Sequence, residues 1–134
     1  MSVSIENVET MAKAIIKQLG YGRREKVYQN ALCYELNYNG ITASVEVPHP
    51  VYYKQHCVGT TFIDIVTATW LIEIKYVKTL TQTHREQAMA YSRDLALDAL
   101  LINFGANPIQ IEDLKLSDKL SNANNWVNKC FMLK

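Results

Sequence analysis

Cysteine pairs, long apolar runs and an excess of charge of one sign are all missing from this chain, and each absence removes a class of protein. The three cysteines, Cys33, Cys57 and Cys130, are odd in number and widely scattered. They form no CxxC pair and have no histidine at zinc-finger spacing, which excludes a disulfide framework and a structural zinc site. Ordinary core or surface thiols are expected instead. No apolar run approaches the roughly 20 residues that cross a bilayer, so no membrane partner is expected. Met1 to Glu6 carries no basic stretch leading into an apolar core, which argues against a secretory leader and for an intracellular place, cytoplasmic or nuclear. With 14 Lys and Arg against 13 Asp and Glu, the formal charge is +1. A generic polyanion binder is thereby excluded, because such binding would need local clusters of Lys and Arg.

What is present is an ordinary globular composition over 134 residues, enough for one domain with a core and too few for two. Internal repeats, low-complexity blocks and linkers are absent. Ile5, Val8, Ala12, Ile15 and Leu19 recur with helical period, and Gly20 stands where a C-terminal cap would. A second helix is read from a stripe of Val27, Ala31, Tyr34 and Tyr38 beside Tyr28, Leu32 and Leu36, closed by Gly40. Val45 to Tyr53 reads as a strand that Pro48 and Pro50 consign to an edge or a bulge. Thr60 to Val66 and Trp70 to Val77 read as a hairpin. Thr81 or Thr83 caps a third helix, Thr83 with Glu86 at capping-box spacing, and that helix is expected to run to about Asp98. Ala99 to Phe104 is a short buried strand. From Ala106 the tail mixes a candidate strand, Ile109 to Leu116, with the polar stretch Ser117 to Asn125. The order predicts a single α/β or α+β domain over residues 1–134, with a mixed sheet flanked by helices.

Chemistry concentrates at Asp64, Glu73 and Lys75. Strand alternation puts Glu73 and Lys75 on one face and groups Asp64 with Phe62 and Val66. A loop of two residues, Ala68 and Thr69, or of four, Thr67 to Trp70, brings Asp64 opposite Glu73. An odd-length loop puts the acids on opposite faces, and a solvated Glu–Lys pair is then the simpler reading. Two facing carboxylates among Phe62, Val66, Leu71 and Val77 repel each other and lose hydration. A hard divalent cation between them turns that cost into a ligand set, with Lys75 beside the attacked group. In the third helix His84, Gln87 and Tyr91 share a face. Glu25 opens the second helix, where the helix dipole alone would favour an acid.

Taken in order, Gly22-Arg23-Arg24-Glu25-Lys26-Val27-Tyr28, Ala31-Leu32, Tyr34-Glu35-Leu36, Gly40-Ile41, Pro50 to Lys54, Val58-Gly59, Asp64, Glu73-Ile74-Lys75, His84, Gln87, Tyr91 and Leu101 to Gly105 resemble the GxxExxY family of the PD-(D/E)xK nuclease superfamily. The resemblance covers about residues 5–105. Gln55, in place of an expected glycine, and the uncharged tip Thr67 to Thr69 depart from it. The resemblance implies a nuclease fold and a Mg²⁺- or Mn²⁺-dependent site made by Glu25, Asp64, Glu73 and Lys75. The metal would be held by Asp64, Glu73, the carbonyl of Ile74, and Glu25 directly or through water. It further implies that Gln87 and Tyr91 line the site near the scissile phosphate; His84 matches a position without a derivable role.

The function implied is phosphodiester hydrolysis of nucleic acid, DNA before RNA. Arg23, Arg24, Lys26, Lys54, Lys78, His84, Arg85 and Arg93 are the candidates for contacts to the backbone, with nothing that reads bases. The rival reading is a non-catalytic module of the same fold that binds nucleic acid or protein. Small size and weak charge suit it, since such a domain grips substrate best within a homo-oligomer or a larger complex; a purely structural oligomer subunit is the third reading.

Overall fold

The computed structural model describes residues 4–115. Helix α1 (Ile5–Leu19) begins where Ser4 accepts a hydrogen bond from the Asn7 N–H at 3.2 Å. It ends at Gly20, whose φ of 76° suits a residue without a side chain. Helix α2 (Glu25–Tyr38) follows, then strands β1 (Ser44–Tyr53), β2 (His56–Val66) and β3 (Trp70–Lys75). Helix α3 (Gln82–Leu95) crosses over to β4 (Asp98–Asn103), and β5 (Gln110–Leu114) closes the sheet. Strand order is β1-β2-β3-β4-β5, with β3 and β4 parallel and every other pair antiparallel. This is a mixed α+β arrangement, as the order of elements predicts.

Two helical layers cover the sheet. Ile65, Ile72, Ile74, Leu100 and Ile102 pack on Val8, Ala12, Ile15, Tyr28, Leu32 and Leu36 of α1 and α2. Ile63, Leu71 and Ala99 pack on Ala88 and Tyr91 of α3, on the other face. The central strands are therefore buried on both sides and read as nearly continuous apolar runs. By contrast β1 is an edge strand, as its two prolines require. It pairs with β2 from Ser44 to Tyr53, skipping Glu46, whereas β2 pairs with β3 only at Ile65↔Ile72 and Val66↔Leu71. The far part of the β1–β2 hairpin stands clear of the sheet as an arm with Tyr52, Tyr53 and Val58 exposed.

Several expectations are corrected. In α2 the row Tyr28, Leu32, Leu36 faces the sheet, so Tyr34 and Tyr38, one stripe away, are exposed and stack on each other at 6.1 Å. Helix α3 stops at Leu95, because Ala96 turns left-handed (φ 54°) and Asp98 already belongs to β4. Its capping box is Thr81 with His84, not Thr83 with Glu86. The hairpin strands run from His56 rather than Thr60, and to Lys75 rather than Val77. Strand β5 falls within the expected Ile109 to Leu116, while Leu116, the stretch Ser117 to Asn125 and Cys130 lie outside the described residues. Cys33 and Cys57 are free thiols. Among the described residues no helix is long and apolar enough to cross a membrane.

The exit of β3 is tied to β4 by one buried amide. Asn103 Oδ1 accepts from the N–H of Val77 (3.0 Å) and of Gly105 (2.9 Å), and its Nδ2 donates to the Val77 carbonyl (2.8 Å). Gly105 sits so close that an added Cβ would lie 2.6 Å from the Val77 oxygen. Gly105→Ala is expected to destabilise the protein by about 1–3 kcal/mol, as overpacking against backbone does. Urea unfolding reads this as a lower midpoint at unchanged slope; an unchanged midpoint would mean that the Val77 segment gives way freely.

Candidate metal centre

The hairpin turn sets the site. The Thr67 N–H donates to the Trp70 carbonyl at 2.8 Å, closing a four-residue turn, and the pairs Val66↔Leu71 and Ile65↔Ile72 follow. This even register brings Asp64 opposite Glu73. There the ladder stops. The Ile74 N–H, which the next pair would have bonded to a strand carbonyl, donates instead to Asp64 Oδ2 at 2.7 Å. On the other side of β2 the pairing with β1 also skips this point: Val45↔Ile65 and Val47↔Ile63 flank Glu46, whose φ is 51°. Regular alternation is broken as a result. Ile63 packs toward α3 and Ile65 toward α1 and α2, so Asp64 does not share a simple face with Phe62 and Val66.

Glu73 is buried and its Oε1 has no hydrogen-bond partner. Its pKa is pushed up to about 9, first by burial, then by the negative charge of Asp64 and a hydrogen bond with that neighbour, against the pull of Lys75. Asp64 is also raised, mainly by burial and less by Glu25, while Glu73, the Ile74 N–H and Lys75 oppose the shift. Two carboxyl groups close enough to hydrogen-bond, with one oxygen orphaned, are unfavourable unless a proton or a cation joins them.

Glu25 comes near by a different route. Its Oε2 accepts from the Tyr76 N–H at 3.0 Å, just beyond β3. The Tyr76 hydroxyl accepts from the Gly22 N–H at 2.6 Å, where φ is 91°. Tyr28 stacks between Tyr76 (5.6 Å) and Phe104 (4.8 Å), and its hydroxyl donates to the Gly20 carbonyl at 2.7 Å and accepts from the Arg23 N–H at 3.1 Å. Gly22, Glu25 and Tyr28 thus form a clamp on the end of the strand that carries Glu73 and Lys75. Tyr76 is the partner that sequence reasoning passed over; an aromatic directly after Glu-x-Lys was the available signal. Glu25 acts on Asp64 through its charge, and among the described residues no three His, Cys, Asp or Glu side chains converge on one point.

The third helix lies on the opposite face from α2. Tyr91 is buried against Ile63 and Leu71, on the side of the sheet that Glu73 shares, and Gln87 Nε2 reaches its hydroxyl at 3.5 Å. Several basic candidates are already engaged. His84 Nδ1 accepts from the Thr81 N–H (3.1 Å) and serves the helix cap. Arg85 makes a two-pronged pair with Glu112 (2.7 and 2.9 Å), which neutralises it. Arg23 Nε donates to the last turn of α1 at Leu19 (3.1 Å), Lys26 stands 3.9 Å from Glu46, and Lys54 lies over the Tyr53 ring at 5.5 Å. Arg24 and Lys78 are exposed and make no ion pair among the described residues.

A family model described as the PD-(D/E)XK nuclease superfamily matches residues 3–114. The chain belongs to this superfamily. The match runs past Gly105 to the end of β5, which pairs with β4 and is part of the same sheet. No curated protein and no solved structure matches the chain. PD-(D/E)XK proteins are nucleases that generally use divalent metal ions, and the residues present fit such an ion. The orphaned Glu73 Oε1 and the raised Asp64 offer hard oxygens, and a small hard cation needs only one or two carboxylates when water and phosphate fill its other positions.

The raised acid fixes a pH dependence. Between the ordinary Glu73 value of 4.5 and the folded value of about 9, the folded protein keeps a proton that the unfolded chain has released. Stability from this group is full below the lower value and is lost as pH rises through the upper one. In EDTA, melts between pH 6 and 9 should show stability falling by up to about 1.4 kcal/mol per pH unit from this proton. Glu73→Gln should flatten that slope. An equal slope in both proteins would assign it elsewhere.

Proposed function

We propose that this PD-(D/E)XK protein is a Mg²⁺- or Mn²⁺-dependent nuclease of the GxxExxY type, cleaving phosphodiester bonds of nucleic acid, DNA before RNA, with the whole chain as one domain. The observation that carries the reading is the Asp64–Glu73 pair, half-buried at Asp64 and buried at Glu73, with an orphaned Glu73 oxygen and Lys75 as the neighbouring cation. Asp64 and Glu73 would hold the ion, the Ile74 carbonyl would add a ligand, and Glu25 would act through water, since its carboxylate already receives the Tyr76 N–H. When bound, the ion supplies Lewis-acid polarisation of a phosphate oxygen and acidifies the attacking water.

The remaining work belongs to the chain. Lys75 offsets negative charge that builds on the phosphate, from a half-buried position where such charge is poorly screened. The Ile74 N–H keeps Asp64 pointed at the gap between β2 and β3. Gln87 and Tyr91 border the approach from α3, and the uncommitted Arg24 and Lys78 are the best placed of the basic residues for backbone contacts. Free thiols at Cys33 and Cys57 suit a reducing intracellular compartment, cytoplasmic or nuclear. A homo-oligomer or larger complex would extend the grip of so small and weakly charged a chain.

Labelled DNA and RNA incubated with and without Mn²⁺ test the reading. Cleavage should require the ion, and Lys75→Ala should lower kcat by about 10²–10³. Cleavage that survives EDTA, or is indifferent to Lys75, would refute it. Separately, Mn²⁺ should raise the melting temperature of the wild type, by the equivalent of about 2.7 kcal/mol at a hundredfold excess over the dissociation constant. Asp64→Asn can still accept from Ile74 N–H, so it should be as stable without metal, gain little from Mn²⁺ and not cleave. Equal Mn²⁺ shifts in both proteins would remove the metal site.

A further inference from the structure

Between the β1–β2 arm and α3 lies a concavity of about 480 Å³, walled by His49, Pro50 and Val51 on β1 and by Ala90, Tyr91 and Asp94 on α3. Asp64, Glu73 and Lys75 take no part in it. Its walls are held in place from both sides: His49 Nε2 on β1 is 2.9 Å from Asp94 Oδ2 on α3, and the His49 and Tyr91 rings meet edge to face at 5.1 Å. We propose that this cavity receives a single unpaired nucleobase, so that the preferred substrate is single-stranded nucleic acid or a single-stranded end. The proposal rests on the nuclease reading and specifies its substrate.

The lining selects a base over the other parts of a nucleotide. It contains the Asp94 carboxylate and neither Lys nor Arg, so a phosphate would enter against charge with nothing to offset it. Pro50, Val51 and Ala90 give apolar wall, and Tyr52, 65% exposed, offers a ring face on which any base can stack. Around that surface Gln87, Thr61, His49 and Asp94 present donors and acceptors suited to the edge of a base that has no pairing partner. The volume falls in the range of small-molecule sites and takes one base with room for water. A paired base lies inside its stack and would have to be flipped out, at a cost of a few kcal/mol, whereas an unpaired one enters directly.

Position ties the cavity to the acids. Thr61 lies three residues from Asp64 along β2, about 10 Å at strand rise. Tyr91 belongs both to the cavity and to the cluster with Ile63 and Leu71 that underlies the acid pair. A strand whose phosphate lay at Asp64 and Glu73 would carry a neighbouring base over the cavity, with exposed Tyr53 and Lys54 at the tip of the arm beyond it.

Fluorescence anisotropy in EDTA, with a short labelled single strand and its blunt duplex, tests this without cleavage. The wild type should bind the single strand about tenfold or more tightly than the duplex. Tyr52→Ala, which removes the stacking face, and Ala90→Trp, which fills the cavity, should each weaken single-strand binding by about tenfold and leave duplex binding unchanged. Circular dichroism melts check that both variants fold, and the exposed Tyr52 guards against a folding failure of Ala90→Trp. Equal affinity for the two forms, equal losses on both, or no single-strand binding overturns the proposal. Mn²⁺-dependent cleavage is read on the same strands: selective binding without cleavage would sink the nuclease reading and leave the base site standing, and cleavage without selectivity would do the reverse.

Discussion

Where β2 and β3 part, the Ile74 N–H finds the Asp64 carboxylate at 2.7 Å in place of a strand carbonyl, and the position of the whole site follows from that substitution. A backbone donor in the centre of a sheet must be satisfied. Here the side chain satisfies it, which frees the outer part of the β1–β2 hairpin to swing away from β3. One hydrogen bond thereby holds an acid in the plane of the sheet, directs it at Glu73, and opens the gap beside them. The same parting creates the arm and, with α3, the cavity behind it.

The cost is concentrated on Glu73. It sits among strands covered on both faces, between Ile72 and Ile74, and the charge of Asp64 bears on it more than that of Lys75. Burial and like charge both work against ionisation, so the pair favours a shared proton, which a bound cation would have to displace. Lys75 moderates this without abolishing it. The surroundings are stiff enough to keep the acids together: Asn103 ties the exit of β3 to β4, and Gly22, Glu25 and Tyr28 clamp Tyr76 at the same end. Glu25 is consequently as much a brace as an acid, and its negative charge reaches Asp64 from a position set by backbone.

Much of this was legible in sequence because local physics decides it. Helical period, Gly20 as a terminator, prolines on an edge strand and the apolar runs of β3 and β4 all act over a few residues. The pairing of Asp64 with Glu73 was legible only as one of two loop parities, and the turn from Thr67 to Trp70 selected the even one. Errors arose where a distant neighbour intervened. Tyr34 and Tyr38 fit the period of a buried stripe as well as Tyr28 and Leu32 do, and the sheet selected between them. Arg85 reads as a free cation until β5 brings Glu112 to it, and His84 reads as a site residue until its ring turns back to cap its own helix.

By itself the sequence determined which groups could do chemistry: the acids, the lysine and their spacing on a hairpin, together with a motif order shared with one nuclease superfamily. Tertiary structure decided how those groups stand. It broke the alternation at Asp64, engaged Glu25 at Tyr76, left one oxygen of Glu73 without a partner and folded an arm over α3. Each of these depends on contacts between residues far apart in the chain, whose geometry no local pattern carries, because period and propensity specify a face and a length but not what is packed against it.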